Sequence, residues 1–144
     1  MVASQLMQVG INFELKNHEN IPYNFNMLKG ERGILLGFTG DVWDVSCVRY
    51  VLWLQRQNFK LATQGLNCAL IVPNQTYELN GFFMSIPRTI SFPLLADPTQ
   101  LLHNKVGMEK PGYMLLNQYG DIKGRWYIND TASLSLQSVL YRLK

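Results

Sequence analysis

Cysteine and histidine are scarce in this chain, which has two of each among 144 residues. A small secreted domain held together by disulfides carries more cysteines than this. Neither Cys47 nor Cys68 has a histidine at the spacing that metal sites use. The scarcity argues against a disulfide framework and against a bound metal, and we expect no cofactor.

Long apolar runs are also missing from the sequence. No stretch approaches the roughly 18 apolar residues of a membrane span, and the first residues lack a basic segment followed by an apolar one. We therefore expect no membrane partner and a cytoplasmic location.

Charge of one sign dominates nowhere, since 13 basic and 10 acidic residues give a net charge of +3. Lysine and arginine are scattered, whereas a nucleic-acid interface needs them clustered on one face. We expect no nucleic-acid partner.

The length and the hydrophobic fraction of 47% suit one buried core, so residues 1–144 are predicted to form a single domain.

Hydrophobic periodicity predicts an α/β chain that ends in a hairpin and a closing helix. The expected strands are 11–15, 33–38, 67–72, 112–117 and 121–127. The expected helices are 45–62, 75–86, 99–105 and 131–143.

Two of these helices allow finer predictions. At 100° per residue Val48, Leu52 and Phe59 share a narrow sector of helix 45–62, and Cys47, Val51, Leu54 and Leu61 widen it. This half of the helix is expected to face the core, with Arg49, Arg56, Lys60 and Trp53 on the opposite face. Asp130 is the expected N-cap of the last helix.

Cys47 lies where the apolar run 33–38 gives way to helix 45–62. Unpaired backbone N–H groups and the positive end of the helix dipole favour a thiolate at such a junction. Cys47 is therefore the candidate nucleophile.

Several short segments along the chain match motifs of one protein family, and they occur in the same order as in that family. They are Gly10–Leu15, Leu28–Gly30, Ile34–Phe38, Ser91–Pro98, and Pro111–Asn117 followed by Gly120. Together they resemble the thioredoxin superfamily, in particular its peroxiredoxin (AhpC/TSA) branch. The resemblance implies a thioredoxin-like three-layer α/β/α sandwich with a mixed central sheet.

The active-site motif departs from the family pattern. Against the peroxiredoxin PxxxTxxC motif, Cys47 matches, Gly40 replaces the proline, Asp44 replaces the threonine, and Pro111 stands where the family has its arginine. Against a thioredoxin WCxxC motif, Trp43 and Cys47 match, and Asp44 stands where the attacking cysteine would be. Neither motif is complete.

Asp44 bears on the reactivity of Cys47. A carboxylate roughly 5 Å from the sulfur disfavours the thiolate by about 3 kcal/mol at an effective dielectric near 20, and the helix terminus returns only ~0.3–2 kcal/mol. An active thiolate would then need compensation from Arg49, Arg88 or Lys110. Asp44 can alternatively be an N-cap that accepts from a backbone N–H, or a base for the thiol.

Trp43 and Pro111 are expected to shape the site. Trp43 either contacts a partner or covers Cys47. Pro111 matches the proline that lies beside the active cysteine in the resembled family, and a cis Lys110–Pro111 bond is predicted.

The remaining cysteine and both histidines are expected outside the site. Cys68 begins a strand at the edge of the sheet opposite Cys47, so it is predicted to be a core residue that forms no disulfide with Cys47. His18 and His103 lie in polar contexts and are expected to be solvated.

Two functions follow from the resemblance. The first is a single-cysteine thiol redox protein, a weak peroxidase or disulfide exchanger, that needs an external thiol reductant. The alternative is a catalytically silent redoxin-fold protein that binds a peptide or partner protein at the cleft around Trp43, Gly40 and Pro111. An adaptor role in a larger assembly is a third reading, and self-association stays open.

Overall fold

A computed structural model describes residues 13–86, 90–127 and 134–143. Its strands are β1 (Glu14–Asn17), β2 (Pro22–Asn24), β3 (Gly33–Phe38), β4 (Leu66–Val72), β5 (Leu94–Ala96), β6 (Gly112–Asn117) and β7 (Ile122–Tyr127). Its helices are α1 (Phe25–Leu28), α2 (Val45–Thr63), α3 (Thr76–Ser85), α4 (Leu101–Lys105) and α5 (Leu136–Arg142).

The described strands form one mixed sheet in the order β2-β1-β5-β4-β3-β6-β7. β3 lies at its centre, parallel to β4 and antiparallel to β6. All six residues of β3 are buried, as expected for a strand covered on both faces. The predicted parallel pair and the predicted antiparallel hairpin are both confirmed.

Helices cover both faces of the sheet. One hydrophobic cluster joins α2, α3 and α5 to one face, and a second joins α1 and α4 to the other. Because β3 and β4 are parallel, the chain must cross over between them, and α2 makes that crossover. The result is the predicted three-layer α/β/α arrangement.

Three short elements were not predicted, namely β2, α1 and β5. Each has three or four residues, too few to show a period. β5 is the most important of them because it pairs with both β4 and β1. Its apolar residues between Pro93 and Pro98 gave a motif but no strand prediction.

The prediction for the last helix is partly wrong. α5 begins at Leu136, and its N-cap is Ser135, whose hydroxyl accepts from the Ser138 N–H. The Ser138 hydroxyl in turn accepts from the Ser135 N–H, which completes a reciprocal cap. Asp130, the predicted N-cap, lies outside the described residues.

The predicted core face of α2 is partly wrong. Its buried residues are Cys47, Tyr50, Val51, Leu54 and Leu61, and all of these except Tyr50 were expected at the margin of that face. The expected centre of the face, Val48, Leu52 and Phe59, is exposed, whereas Trp53, expected on the opposite face, packs against the core. At 100° per residue the two apolar stripes are centred about 135° apart, and contact with the sheet decides which of them is buried.

Candidate functional site

The loop between β3 and α2 is held by two polar side chains. The Asp41 carboxylate accepts from the Trp43 N–H at 2.9 Å and from the Asn74 amide at 3.1 Å. Asn74, itself buried, accepts from the Val42 N–H. These bonds lower the pKa of Asp41 and fix the path of the chain into the helix.

Asp44 occupies the N-cap position of α2, but its side chain makes no capping hydrogen bond. Its backbone carbonyl instead accepts from the Cys47 N–H at 3.0 Å. The prediction of a carboxylate bonded to the first helical N–H groups is therefore wrong. The side chain of Asp44 is exposed to solvent.

The Cys47 thiol is wholly buried in the core cluster beneath the start of α2. Its sulfur lies 3.4 Å from the Thr39 hydroxyl. The pKa of Cys47 is raised to about 11. Burial is the largest cause, the Thr39 hydrogen bond acts in the opposite direction, and the charges of Asp41 and Asp44 add to the increase. Burial thus outweighs Asp44, which the sequence had suggested as the dominant influence.

The expected compensating cations are not at the sulfur. Neither Arg49 nor Lys110 lowers the pKa of Cys47. Arg49 instead lines a cavity beside α2, and Lys110 is exposed just before β6. Arg88 lies outside the described residues.

A buried polar network behind Cys47 was not predicted. His103, expected to be solvated, is buried, and its Nδ1 lies 2.7 Å from the Asp97 carboxylate. The Nε2 of His103 lies 3.1 Å from the backbone oxygen of Thr39, the residue whose hydroxyl contacts Cys47. The Thr39 carbonyl can only accept, so the His103 Nε2–H donates to it, and Nδ1 is hydrogen-bonded to the Asp97 carboxylate.

Asp97 is ionised in this network. Burial raises its pKa, but hydrogen bonds from the His103 ring and from the backbone N–H groups of His103 and Leu102 outweigh burial and hold the pKa below its usual value. The network therefore joins a carboxylate, the His103 ring and the loop that carries Thr39.

The sequence did contain a signal for this network. Thr39, Asn74 and Asp97 each follow one of the three mutually parallel strands β3, β4 and β5. The carboxyl ends of parallel strands meet at one edge of a sheet, where polar side chains of α/β proteins gather. Without a prediction of β5, Asp97 could not be assigned to that edge.

Aromatic rings pack beside the thiol on the side of β6. Tyr50 stacks on Tyr113 with ring centroids 4.8 Å apart, and Trp53 lies 5.2 Å from Tyr113. Burial, and to a lesser extent the charge of Cys47, raises the pKa of Tyr50 to about 12. Both tyrosines therefore keep their hydroxyl protons at neutral pH.

Cys68 lies in β4 and contacts α2 at a point far from Cys47. Its thiol donates to the Asn58 side chain at 3.3 Å, and Asn58 follows Cys47 by eleven residues, or about 16 Å of helix. Burial raises the pKa of Cys68 to about 12. It is a core residue, as predicted.

His18, like His103, was expected to be solvated. It is half-buried, and its ring stacks on Phe83 with the ring centroids 3.7 Å apart.

The residues expected to form a cleft lie at the same end of two adjacent strands. Phe38 pairs with Gly112, so Gly40 and Pro111 extend just beyond the paired ends of β3 and β6. A Cβ added at Gly40 would contact nothing within 4 Å, so the backbone there is open. The predicted cis Lys110–Pro111 bond is wrong, because none of the described peptide bonds is cis.

Trp43 is 54% exposed, and its ring packs edge-to-face with Phe82, with the ring centroids 5.4 Å apart. It continues into an exposed apolar surface on α2, which we call the α2 strip. The α2 strip consists of Val45, Val48, Leu52 and Phe59. Exposed apolar surface of this kind is typical of protein-binding sites.

The fold is thioredoxin-like, and residues 7–132 match the model of the AhpC/TSA family. The chain therefore belongs to the AhpC/TSA family. A comparison with curated protein sequences gave no significant match.

Solved structures of the same fold include a peroxidoxin, BcpB, from Mycobacterium tuberculosis, with a TM-score of 0.78, 14% identity and coverage of 93% of this chain and 92% of that one. AhpC from Enterococcus faecalis has a TM-score of 0.77, 17% identity and coverage of 94% and 88%. A putative thiol:disulfide interchange protein, DsbE, from Chlorobium tepidum has a TM-score of 0.75, 18% identity and coverage of 94% and 95%.

The described residues contain no cluster of three side chains of the kind that holds a metal ion. They also contain no helix with the length and apolar character needed to cross a bilayer.

Proposed function

We propose that this AhpC/TSA-family chain works by binding a partner protein and that its Cys47 is structural rather than catalytic. The observation that carries the proposal is the state of the thiol. The sulfur is wholly buried, and burial raises the pKa of Cys47 to about 11.

Such a thiol reacts poorly at neutral pH. The thiolate is the form that attacks peroxides and disulfides. With a pKa of about 11, roughly one Cys47 in 10⁴ is a thiolate at pH 7, against about three in 100 for an unperturbed cysteine. The few thiolates would also lie beneath the helix, out of reach of a substrate.

The arrangement at the start of α2 supports the same view. In the thioredoxin WCxxC pattern the attacking cysteine stands at the helix terminus, and in this chain that position belongs to the exposed carboxylate of Asp44. Cys47 lies one turn further on and faces the core. A carboxylate cannot replace a thiolate in disulfide exchange.

The surface around Trp43 supports a binding role. Trp43, the α2 strip and the open backbone at Gly40 together expose a large aromatic ring, aliphatic side chains and unhindered peptide groups. Buried interface centres favour aromatic residues of this kind. The partner would be another protein, or a second copy of this chain.

A slow thiol redox activity is the second candidate, and the Thr39 hydroxyl favours it. That hydroxyl donates to or accepts from the Cys47 sulfur at 3.4 Å and lowers its pKa. Cys47 would attack only when the start of α2 opens, and an external thiol reductant would return it to the thiol. Cys68 cannot resolve it across about 16 Å of helix.

Alkylation of the intact protein distinguishes the two candidates. Cys47 is labelled with iodoacetamide between about pH 6 and pH 11, and the labelled peptide is quantified by mass spectrometry. We expect a midpoint near pH 11, no peroxide consumption, and little change on Asp44→Thr because burial is the main influence. A midpoint at or below ~8.5 with thiol-dependent peroxide consumption would establish the redox candidate instead.

The binding role has its own test. Displayed peptides or partner domains are selected on the wild-type protein and re-tested on Trp43→Ala. Tyr119→Ala is the matched control, because Tyr119 is also an exposed aromatic residue but lies in the turn after β6, at the end of β6 opposite Pro111. Selective loss with Trp43→Ala is expected. Equal binding by both variants would show that Trp43 is not part of the binding surface.

We also assign the chain to the cytoplasm. Both described cysteines are free, buried thiols, and free thiols are typical of reducing compartments. Fractionation of cells that produce the tagged protein would test this assignment.

A further inference from the structure

A cavity of about 430 Å³ lies between α2 and β6, and Leu52 of the α2 strip forms part of its lining. Its volume falls in the range of small-molecule sites. Neither Trp43 nor Gly40 lines it, so the cavity borders the proposed partner-binding surface at Leu52 alone among the residues named for that surface.

One side of the cavity is aromatic. Tyr50, Trp53 and Tyr113 all line it, and their rings pack against one another at 4.8 Å and 5.2 Å between centroids. A flat apolar group can stack on such a surface. This favours a ligand with a planar aromatic body.

The other lining groups are cationic or polar. Arg49 and Arg56 both line the cavity, seven residues apart, which is about 10 Å along the helix axis. No carboxylate of the described residues forms an ion pair with either guanidinium. The Arg56 charge lies close enough to Tyr113 to lower the pKa of that phenol against the larger effect of burial.

Tyr50 adds an independent observation. Its side chain is 4% exposed, and its buried hydroxyl has no hydrogen-bond partner among the described residues. A buried donor without a partner costs stability. A ligand oxygen in the cavity could supply that partner.

We propose that this cavity binds a small organic anion with a planar aromatic body, such as an aromatic carboxylate or sulfonate. Its rings pack on the Trp53 side of the aromatic cluster, its anionic group pairs with Arg49 or Arg56, and an anionic oxygen accepts from the Tyr50 hydroxyl. Guanidinium groups bind such oxygens through charge-assisted hydrogen bonds.

The test uses two fluorescent dyes on the intact protein. 8-Anilinonaphthalene-1-sulfonate carries the anionic group, and N-phenyl-1-naphthylamine is the same molecule without it. We expect the wild type to bind the sulfonate about tenfold more tightly or better. Arg49→Gln and Arg56→Gln should each weaken the binding of the sulfonate about tenfold and leave the binding of the uncharged dye unchanged. Unchanged binding of the uncharged dye also shows that the variants are folded.

Matched variants complete the experiment. Lys60→Gln removes a positive charge from the same helix one turn beyond Arg56 and does not line the cavity, so it should leave both affinities unchanged. Tyr50→Phe should weaken sulfonate binding and leave the thermal stability of the free protein equal or higher. Equal affinity for the two dyes, or an equal effect of Arg56→Gln and Lys60→Gln, would overturn the proposal.

Discussion

At the scale of residues, the state of Cys47 depends on groups that lie far from it in the sequence. Thr39 contacts the sulfur, His103 contacts the backbone of Thr39, and Asp97 holds His103. None of these was expected at the site. The buried Asp97–His103 pair is therefore the residue-scale feature most open to test.

Removing one partner of this pair should destabilise the fold. Asp97→Asn weakens the buried hydrogen bonds that the carboxylate makes with the His103 ring and with two backbone N–H groups, and loss of hydrogen bonds to a charged group costs about 1.5–3 kcal/mol. Chemical denaturation would measure the loss. Glu19→Gln is the control, because it alters the exposed His18–Glu19 contact at 3.9 Å and should cost under ~1 kcal/mol. Equal losses would show that the Asp97–His103 contact contributes little.

The same pair predicts a pH dependence. The folded-state pKa of Asp97 lies below its unfolded value, so its stabilising effect is complete above about pH 4 and is lost as the pH falls through the folded pKa. The difference in unfolding free energy between wild type and Asp97→Asn should shrink below about pH 4. A constant difference down to pH 2 would contradict the assignment of an ionised Asp97.

At the scale of elements, α2 carries two apolar stripes and buries only one. Leu54 is wholly buried, whereas Leu52, two positions earlier, is 51% exposed. Both positions read as apolar helix positions in the sequence. A matched pair of substitutions therefore tests the orientation of the helix.

Leu54→Ala should cost about 2–5 kcal/mol of unfolding free energy, because it opens a cavity in the core. Leu52→Ala should cost under ~1 kcal/mol, because half of its side chain already contacts water. Thermal or urea unfolding of the two variants gives the comparison. A larger loss for Leu52→Ala would reverse the assignment of the two faces.

The start of α2 supports a second element-scale prediction. Asp44→Cys would restore the WCxxC motif with an exposed thiol one helical turn before Cys47. We expect the variant to form a 44–47 disulfide and to gain thiol–disulfide exchange with a model disulfide. Val45→Cys places an exposed thiol without that spacing and should gain no such disulfide. An Asp44→Cys variant that stays reduced under oxidising conditions would contradict this geometry.

At the scale of the whole molecule, the parallel β3–α2–β4 unit holds the two cysteines apart. Cys47 lies under the first turn of α2, and Cys68 contacts Asn58 about three turns later. A disulfide requires Cα atoms within about 7 Å. The crossover would have to unfold before the two sulfurs could meet.

Mild oxidation should therefore leave the folded monomer without an internal disulfide. Intact mass spectrometry would show no loss of two hydrogens, and peptide mapping would show both cysteines as thiols. In denaturant the same treatment should produce the Cys47–Cys68 disulfide, which serves as the positive control. Its appearance in the native protein would contradict the position of Cys68.

The sequence by itself determined the layered fold, because the long apolar strands, the hairpin and α2 follow from local periodicity and from segments that resemble one family. It also identified Cys47, Trp43 and Asp44 at the start of α2. It could not show which stripe of α2 is buried, or that Asp97 and His103 lie behind Thr39. The position of Asp97 depends on the pairing of β5 with β4 and β1, and the buried stripe of α2 depends on which face of the helix contacts the sheet. Only the tertiary structure decided that Cys47 lies in the core, since burial, the main cause of its raised pKa, depends on every element packed around it.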